Sequence, residues 1–219
     1  MDNTGSISRI CLSDGAGAGC LSAGPYDEQY PVVCLDESPK QLISASRTPL
    51  KTSKGTTLYD SEYFRHGVVQ IYMLFEPLAG KRVVALRDSN NRIEWAKMVA
   101  DMVEKQYASA TKIILVQDNL KAHKPAALYE AFEPRRAKAI LDKIEFVFTP
   151  KHGSWLNMAE IEFSVLKRQL TQYRIADKQT LARKLECWQK ERNQKHVKAK
   201  WQFQTKDARM KLRKLYPTI

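Results

Sequence analysis

The sequence predicts a mixed α/β fold, in which a sheet is flanked by helices. Short β-branched and aromatic runs, bounded by turn residues, indicate strands, and longer stretches with apolar residues at helical period indicate helices. The two kinds of segment alternate along the second half of the chain. One central apolar run has no polar alternation, which is typical of a strand covered on both faces. Such an order favours helices packed on a central sheet.

The predicted strands are short and lie between residues 31 and 148. The first follows Pro31, and the second and third are separated by Glu76-Pro-Leu-Ala-Gly80, which indicates a turn between paired strands. A polar stretch, Ser44 to Tyr63, precedes that pair. The strands are predicted at Val32–Leu35, Gly67–Phe75, Lys81–Leu86, Ile113–Val116 and Glu145–Phe148.

The predicted helices follow the paired strands. The first is entered through Asp88-Ser-Asn-Asn, which supplies capping residues, and Pro125 opens the second, which we expect to break near Glu133-Pro134. The helices are predicted at Ile93–Tyr107, Ala126–Lys143, Ser154 to about Tyr173, and Lys178 to about Arg192. A central strand bracketed by helices suits a ribonuclease-H-like sheet.

The length of 219 residues suits one domain with tails. We predict a flexible tail at residues 1–25, which are rich in Gly, Ser and Ala, a folded domain at 26–194, and a basic C-terminal segment of the same domain at 195–219. No apolar run approaches the roughly 20 residues of a membrane span, and no signal peptide is recognisable. The 4 cysteines lack metal-site spacing, and together these features indicate a reducing, cytoplasmic compartment.

The chain is strongly basic. Its 36 Lys and Arg residues outnumber 24 Asp and Glu residues, giving a net charge of +12 and a pI near 9.5. Such an excess favours a polyanionic partner, most often nucleic acid. The alternative is a basic protein whose charges are simply solvated.

Two aspartates follow the apolar parts of predicted strands. Asp36 comes after the first strand and Asp118 after the central one. Ligands gather at this edge of open α/β sheets. Taken singly, each could be an ordinary acidic residue at a strand end. Two together would repel strongly in a partly desolvated site, and a divalent cation relieves that repulsion.

A third carboxylate is expected from the helix after Trp155, where there are two candidates. Glu160 and Glu162 diverge by roughly 160° around a helix, so only one can face the edge of the sheet. The apolar stripe of the helix lies between them. Periodicity therefore leaves the choice between them open.

Several segments in order resemble the DDE transposases of bacterial insertion sequences in the mariner superfamily, and the resemblance extends from Tyr26 to Pro217. They are Asp36-Glu-Ser-Pro-Lys-Gln-Leu42, Tyr63-Phe-Arg-His-Gly67, Leu74-Phe-Glu-Pro-Leu-Ala-Gly80, Val116-Gln-Asp-Asn119 with His123, His152-Gly-Ser-Trp-Leu-Asn-Met-Ala-Glu160, and the C-terminal Trp201 to Pro217.

The resemblance implies a catalytic triad of Asp36, Asp118 and Glu160, since Glu160 stands three residues after Asn157 as in the family. Glu162 becomes a flanking surface or secondary residue. The implied chemistry is DNA cleavage and strand transfer with two Mg²⁺ or Mn²⁺ ions, in cut-and-paste transposition. Element ends and target DNA, with TA dinucleotides as targets, are the implied partners, and we expect a homodimer in the DNA complex.

Full-length relatives carry an N-terminal helix-turn-helix, which the residues ahead of Asp36 do not resemble, so the sequence suggests a truncated copy. Two alternatives remain open. One is a catalytically impaired DNA-binding remnant that competes with or partners an intact transposase. The other is a related ribonuclease-H-like nuclease, although such nucleases usually use four acidic residues.

Further residues are candidates for supporting roles. Asn119 and His123 are expected to support the site around Asp118, His123 as a hydrogen-bonded structural group. Basic residues and one histidine are candidates for contact with DNA phosphates, with a solvated cationic face as the alternative. These are Lys151, His152, Lys198, Lys200, Arg209 and Arg213.

Overall fold

The computed structural model describes residues 26–58, 60–120, 123–149 and 157–199. Five residues predicted to contact DNA and the predicted N-terminal tail lie outside the described residues. The five are Lys151, His152, Lys200, Arg209 and Arg213.

A mixed five-stranded sheet forms the centre of the described structure. Its order is β5-β4-β1-β6-β7, and β2 pairs with β3 in a separate two-stranded sheet. β1 runs antiparallel to β4 but parallel to β6, and β6 runs parallel to β7. The strands are β1 Val32–Ala45, β2 Leu50–Lys51, β3 Thr57–Leu58, β4 Tyr63–Glu76, β5 Lys81–Arg87, β6 Ile113–Gln117 and β7 Ile144–Phe148.

Helices flank the five-stranded sheet. Two of them, α1 and α4, continue into short π-helical turns at Met102–Gln106 and Lys167–Thr171. The predicted break in the second helix is confirmed, because Phe132 adopts an extended backbone and Pro134 starts a new helix. The helices are α1 Arg92–Asp101, α2 Ala126–Ala131, α3 Pro134–Asp142, α4 Met158–Leu166 and α5 Lys178–Gln194.

Each face of the sheet buries its own hydrophobic core. Val33 and Leu115 pack with α1, α2 and α3 on one face. Cys34 and Val116 pack with α4 and α5 on the other. Successive side chains of a strand point to opposite faces, so β6 is buried on both, as its continuous apolar run predicts.

The first strand is longer than the sequence predicts. β1 extends to Ala45, and β4 begins at Tyr63, because the polar residues of both strands pair with each other beyond the core. Polar character there reflects the partial exposure of this part of the sheet to solvent. In the described part of the chain, no helix combines the length and apolar character needed to cross a membrane.

Candidate active site

The two aspartates lie side by side on neighbouring strands. In the parallel pairing of β1 with β6, Cys34 lies opposite Val116. Asp36 and Asp118 each follow two residues later, so they occupy adjacent positions where these strands part. The period of two places both on the face of Cys34 and Val116, which α4 covers. Asp36 lies within β1 rather than after it, because β1 continues along β4 alone.

Asn157 fixes the start of α4 against β1. Its backbone is extended, and its Oδ1 accepts a hydrogen bond from the Ala159 N–H at 3.2 Å, as an N-cap does. Its Nδ2 donates to the carbonyl oxygen of Leu35 at 2.8 Å. The helix that carries Glu160 therefore begins at Met158, and the predicted start at Ser154 lies outside the described residues. A tertiary hydrogen bond to the residue before Asp36 sets this boundary.

Glu160 occupies the first turn of α4, next to this anchor. Its backbone N–H donates to the carbonyl oxygen of Asn157 at 3.1 Å. A carboxylate in the first turn is favoured by the helix dipole. Asn157, three residues before Glu160, contacts the residue before Asp36, and the charge of Glu160 contributes to the raised pKa of Asp36.

Glu162 is turned away from the aspartates into the core. Its Oε1 lies 3.0 Å from Nε of Arg82 and 2.6 Å from Nε of Arg192. Glu162 is 4% exposed and Arg82 is fully buried. The expectation of a surface position for Glu162 is wrong, because a buried arginine requires a carboxylate partner. Glu162 is thereby committed to a structural ion pair, which leaves Glu160 as the glutamate on the side of the aspartates.

The clustering of carboxylates changes the acidity of Asp36. Burial raises the pKa of Asp36 to about 7, and the charges of Glu37, Glu160 and Asp118 add to the rise. A hydrogen bond from the Glu37 backbone N–H to Oδ1, at 2.9 Å, opposes it. A carboxyl group that resists ionisation beside other carboxylates is a site where a cation is favoured.

His123 lies behind Asp118 as a buried group. Its Nδ1 is 2.6 Å from Oδ1 of Asp118, and its Nε2 is 3.3 Å from Oε2 of Glu37. Burial opposes the charged imidazolium, but hydrogen bonds and the charges of Glu37 and Asp118 outweigh it and raise the pKa of His123 to about 9. Glu37 was not singled out in the sequence. It follows Asp36 directly, but nothing in the local pattern indicates its contact with His123.

Two further buried residues hold His123, and sequence reasoning missed both. The Trp95 ring stacks on His123, with centroids 5.9 Å apart and an angle of 17° between the planes. Gln117 donates from Nε2 to the carbonyl oxygen of His123 and accepts from Nε1 of Trp95, both at 3.0 Å. Gln117 is the one signal in the sequence that could have indicated these contacts, because a polar residue at the end of an apolar strand needs a hydrogen-bond partner.

The carboxylates suit a hard divalent cation in their chemistry, since oxygen ligands are what Mg²⁺ and Mn²⁺ prefer. Within the described ranges, however, no group of three or more His, Cys, Asp and Glu side chains is arranged so that it could hold a metal ion. Asp36, Asp118 and Glu160 are thus close enough to influence one another electrostatically without forming a ready-made cage.

The remaining predicted residues that the structure describes lie apart from this cluster or beside it. Lys198 is exposed and lies near the β4–β5 turn, where Ala199 N donates to the Pro77 carbonyl oxygen at 3.3 Å. That turn follows Glu76, which lies three residues beyond Met73, the partner of Asp36 in β4. Asn119 is exposed next to Asp118. The structure therefore places Asn119 and His123 beside Asp118, and no described contact joins Lys198 to the carboxylates.

A groove of about 270 Å³ runs beside the carboxylates. The residues that line it include Ser38, two residues after Asp36, and Ser164, one helical turn after Glu160. Lys40 and Lys167 also line it. The ammonium group of Lys40 donates to the carbonyl oxygens of Thr171 and Tyr173, so Lys167 is the lysine of the groove that suits a negatively charged chain.

Comparison with known families gives a match over most of the described chain. The family described as DDE superfamily endonuclease matches residues 31–182, which include Asp36, Asp118 and Glu160. No curated protein matches.

Solved structures of similar fold include three complexes of Mos1. A Mos1 mariner paired end complex with Mn has a TM-score of 0.53 at 13% identity, over 78% of this chain and 52% of that one. A Mos1 transposase paired-end complex with left transposon end has a TM-score of 0.53 at 14% identity, over 77% and 55%. A Mos1 strand transfer complex has a TM-score of 0.52 at 13% identity, over 77% of this chain and 54% of that one. The chain spans about half the length of these proteins, and the likeness confirms the ribonuclease-H-like fold.

Proposed function

Because the chain belongs to the DDE superfamily endonuclease family, we propose that it is a transposase catalytic domain. In this proposal it performs divalent-metal-dependent cleavage of DNA strands and transfers the cleaved ends to a target, as in cut-and-paste movement of an insertion sequence. Residues 26–194 form the catalytic domain, and residues 195–219 are its basic extension.

One observation carries the proposal above the others. Asp36 and Asp118 occupy adjacent positions on two parallel strands, and the helix that covers them is anchored by Asn157 so that Glu160 joins them. The mutual effect of these charges on Asp36 supports a shared site. Three acidic side chains from distant parts of the chain gain nothing for folding from this proximity, since like charges repel.

We assign Asp36, Asp118 and Glu160 as the metal ligands and catalytic residues. When bound, two Mg²⁺ or Mn²⁺ ions would activate the attacking water or DNA 3′-hydroxyl and stabilise the leaving oxygen. The protein's own contribution is to hold the carboxylates at one edge of a rigid sheet. Asp36 Oδ1 accepts from the Glu37 N–H and Asp118 Oδ1 contacts His123, so one oxygen of each aspartate is already engaged by the protein.

The net charge of +12 supports DNA as the partner, because phosphate contacts supply most sequence-independent affinity. We propose that Ser38, Lys40, Ser164 and Lys167 line the path of the DNA backbone toward the carboxylates. The proposed partners are element ends and a target that contains TA dinucleotides, with a homodimer holding the two ends. The proposed place of action is the cytoplasm.

The test is nicking of supercoiled plasmid DNA by the purified chain with Mg²⁺ or Mn²⁺. We expect nicking that requires the metal and is abolished by Asp118→Asn. The matched control is Asp142→Asn, which makes the same chemical change at an exposed aspartate whose partner is Lys138. This control should nick as the unmodified chain does.

Equal nicking by Asp118→Asn would discard the assignment. DNA binding with no nicking by the unmodified chain would favour the impaired remnant, and nicking without any joining of ends would favour a simple nuclease. Joining of a labelled 3′-hydroxyl end to plasmid DNA distinguishes these last two outcomes.

A further inference from the structure

A buried bridge of two side chains connects the two aspartates from behind. Asp36 and Glu37 are neighbours on β1, so their side chains project from opposite faces of the sheet. Asp36 faces α4, whereas Glu37 faces the core side that contains Trp95 and His123. His123 reaches from that side to Oδ1 of Asp118. The same pair of residues therefore touches both aspartates.

Glu37 acts on Asp36 through its backbone and on Asp118 through its side chain. Its N–H donates to Oδ1 of Asp36 at 2.9 Å. Its Oε2 lies 3.3 Å from Nε2 of His123, whose Nδ1 lies 2.6 Å from Oδ1 of Asp118. The arrangement engages Oδ1 of each aspartate, and within the described residues no hydrogen bond involves either Oδ2.

The bridge is buried, and two of its polar atoms are poorly satisfied. The side chain of His123 is 1% exposed and that of Glu37 is 7% exposed. His123 Nε2 and Glu37 Oε2 lie 3.3 Å apart without a well-directed hydrogen bond, and neither atom has another hydrogen-bond partner among the described residues. Buried polar atoms of this kind are unfavourable for folding and are uncommon in native structures. An apolar pair would pack here at lower cost, so stability alone does not account for them.

The imidazole ring is also held rigidly. Trp95 stacks on its face, and Gln117, the last residue of β6, donates a hydrogen bond to the His123 carbonyl oxygen. The loop that carries His123 is thus fastened to the strand that directly precedes the aspartate it contacts. Such support limits the rotation of the Asp118 carboxylate.

We propose that Glu37 and His123 are positioning residues that fix the Oδ1 atoms of Asp36 and Asp118 and so present the two Oδ2 atoms as metal ligands. The inference rests on the proposed function. It predicts that each aspartate binds through one oxygen. It also adds a fourth acidic residue, Glu37, that supports the site without binding metal. Partners that hold metal-ligating carboxylates typically change metal affinity or activity by about 10–100-fold when removed.

The experiment measures Mn²⁺ binding to the full chain without DNA, by the electron paramagnetic resonance signal of free Mn²⁺, and then the Mn²⁺ concentration for half-maximal nicking. We expect His123→Ala to weaken Mn²⁺ binding about 10–100-fold and to raise the half-maximal concentration in proportion. At saturating Mn²⁺ most of the nicking rate should return, because the ligands themselves remain. His123→Asn keeps a donor near Asp118 and should recover part of the affinity.

If His123→Ala does not fold, Mn²⁺ binding by Glu37→Gln is compared with that of the unmodified chain instead. This variant keeps the size of the side chain and removes only its charge. We expect it to weaken Mn²⁺ binding in the same direction. The double variant should be no weaker than His123→Ala alone, since residues that act through one contact are not additive. An additive double variant would overturn the bridge.

A structural control is available at the C-terminal end of β4. Tyr107 donates a buried hydrogen bond to Glu76 at 3.0 Å, and Tyr107→Phe removes it. This variant should lose stability while its Mn²⁺ affinity stays unchanged. If His123→Ala and Glu37→Gln behave in this way too, their role is structural and the proposal is overturned.

The Asp118→Asn variant separates failure of this inference from failure of the proposed function. Weak Mn²⁺ binding by Asp118→Asn together with normal binding by both bridge variants would overturn the bridge alone. Normal binding by Asp118→Asn, or no binding by the unmodified chain, would overturn both.

Discussion

Replacing Asp36 by asparagine should make the metal-free protein more stable at alkaline pH. Asp36 is held beside Glu37, Glu160 and Asp118, and burial together with these charges raises its pKa from an ordinary 3.8 to about 7. Asparagine resembles the protonated carboxyl group in size and cannot ionise. The substitution therefore removes the unfavourable charge and keeps the packing.

The magnitude follows from the size of the pKa change. One pKa unit corresponds to about 1.4 kcal/mol, so a rise from 3.8 to about 7 corresponds to about 4 kcal/mol. Asp36 keeps some contact with solvent, which reduces the effect. We expect Asp36→Asn to raise the free energy of unfolding by about 1–4 kcal/mol at pH 8.

The stability difference between Asp36→Asn and the unmodified chain depends on pH in a defined way. A carboxyl group with a higher pKa in the folded protein binds more protons when folded, so stability falls as the pH rises from the unfolded pKa to the folded one. For Asp36 this window runs from 3.8 to about 7. The advantage of Asp36→Asn should be near zero at the lower end of the window and complete above its upper end.

Urea unfolding in the presence of EDTA, at several pH values across this window, measures the difference. The control is Glu186→Gln, which removes an acidic charge at an exposed position of α5. Addition of Mn²⁺ at pH 8 should stabilise the unmodified chain more than Asp36→Asn, because a bound ion stabilises only the state that binds it. A difference between Asp36→Asn and the unmodified chain that stays constant over the window would refute the proposed repulsion at Asp36.

Further substitutions separate the two glutamates of α4 and test the anchor of that helix. Glu162→Gln should lower the free energy of unfolding by about 3–5 kcal/mol, because it leaves Arg82 buried with too little compensating charge, and urea unfolding would measure this. Glu160→Gln should leave stability nearly unchanged and abolish nicking; the reverse pattern would reassign the ligand. Asn157→Ala should cost about 0.5–2 kcal/mol through the lost cap and also slow nicking, because the start of α4 is released from Leu35, and unchanged nicking would contradict that role.

Local pattern was sufficient for much of the fold. The apolar runs around Cys34 and Leu115, the break before Pro134 and the helical period of α1 predicted the main elements, because each depends on residues close in sequence. The extension of β1 to Ala45 was not predictable in this way. It depends on pairing with β4, whose residues follow after an intervening polar stretch.

The site, too, has features that local sequence predicts and features that depend on distant residues. The positions of Asp36 and Asp118 followed from where apolar runs stop, and their adjacency from the parallel pairing of their strands. The buried ion pair of Glu162 could not be predicted from the local sequence pattern, because it depends on Arg82, a residue of the distant β5. The contact between Glu37 and His123 likewise joins residues far apart in the chain, and periodicity carries no information on such pairs.

The location of bound Mn²⁺ tests the central claim most directly. Anomalous diffraction from crystals soaked in Mn²⁺ would locate the ion independently of activity. We expect anomalous density in contact with carboxylate oxygens of Asp36, Asp118 and Glu160, with Glu162 still paired to Arg82. Density held by other residues, or none at these three carboxylates under conditions that support nicking, would contradict the account.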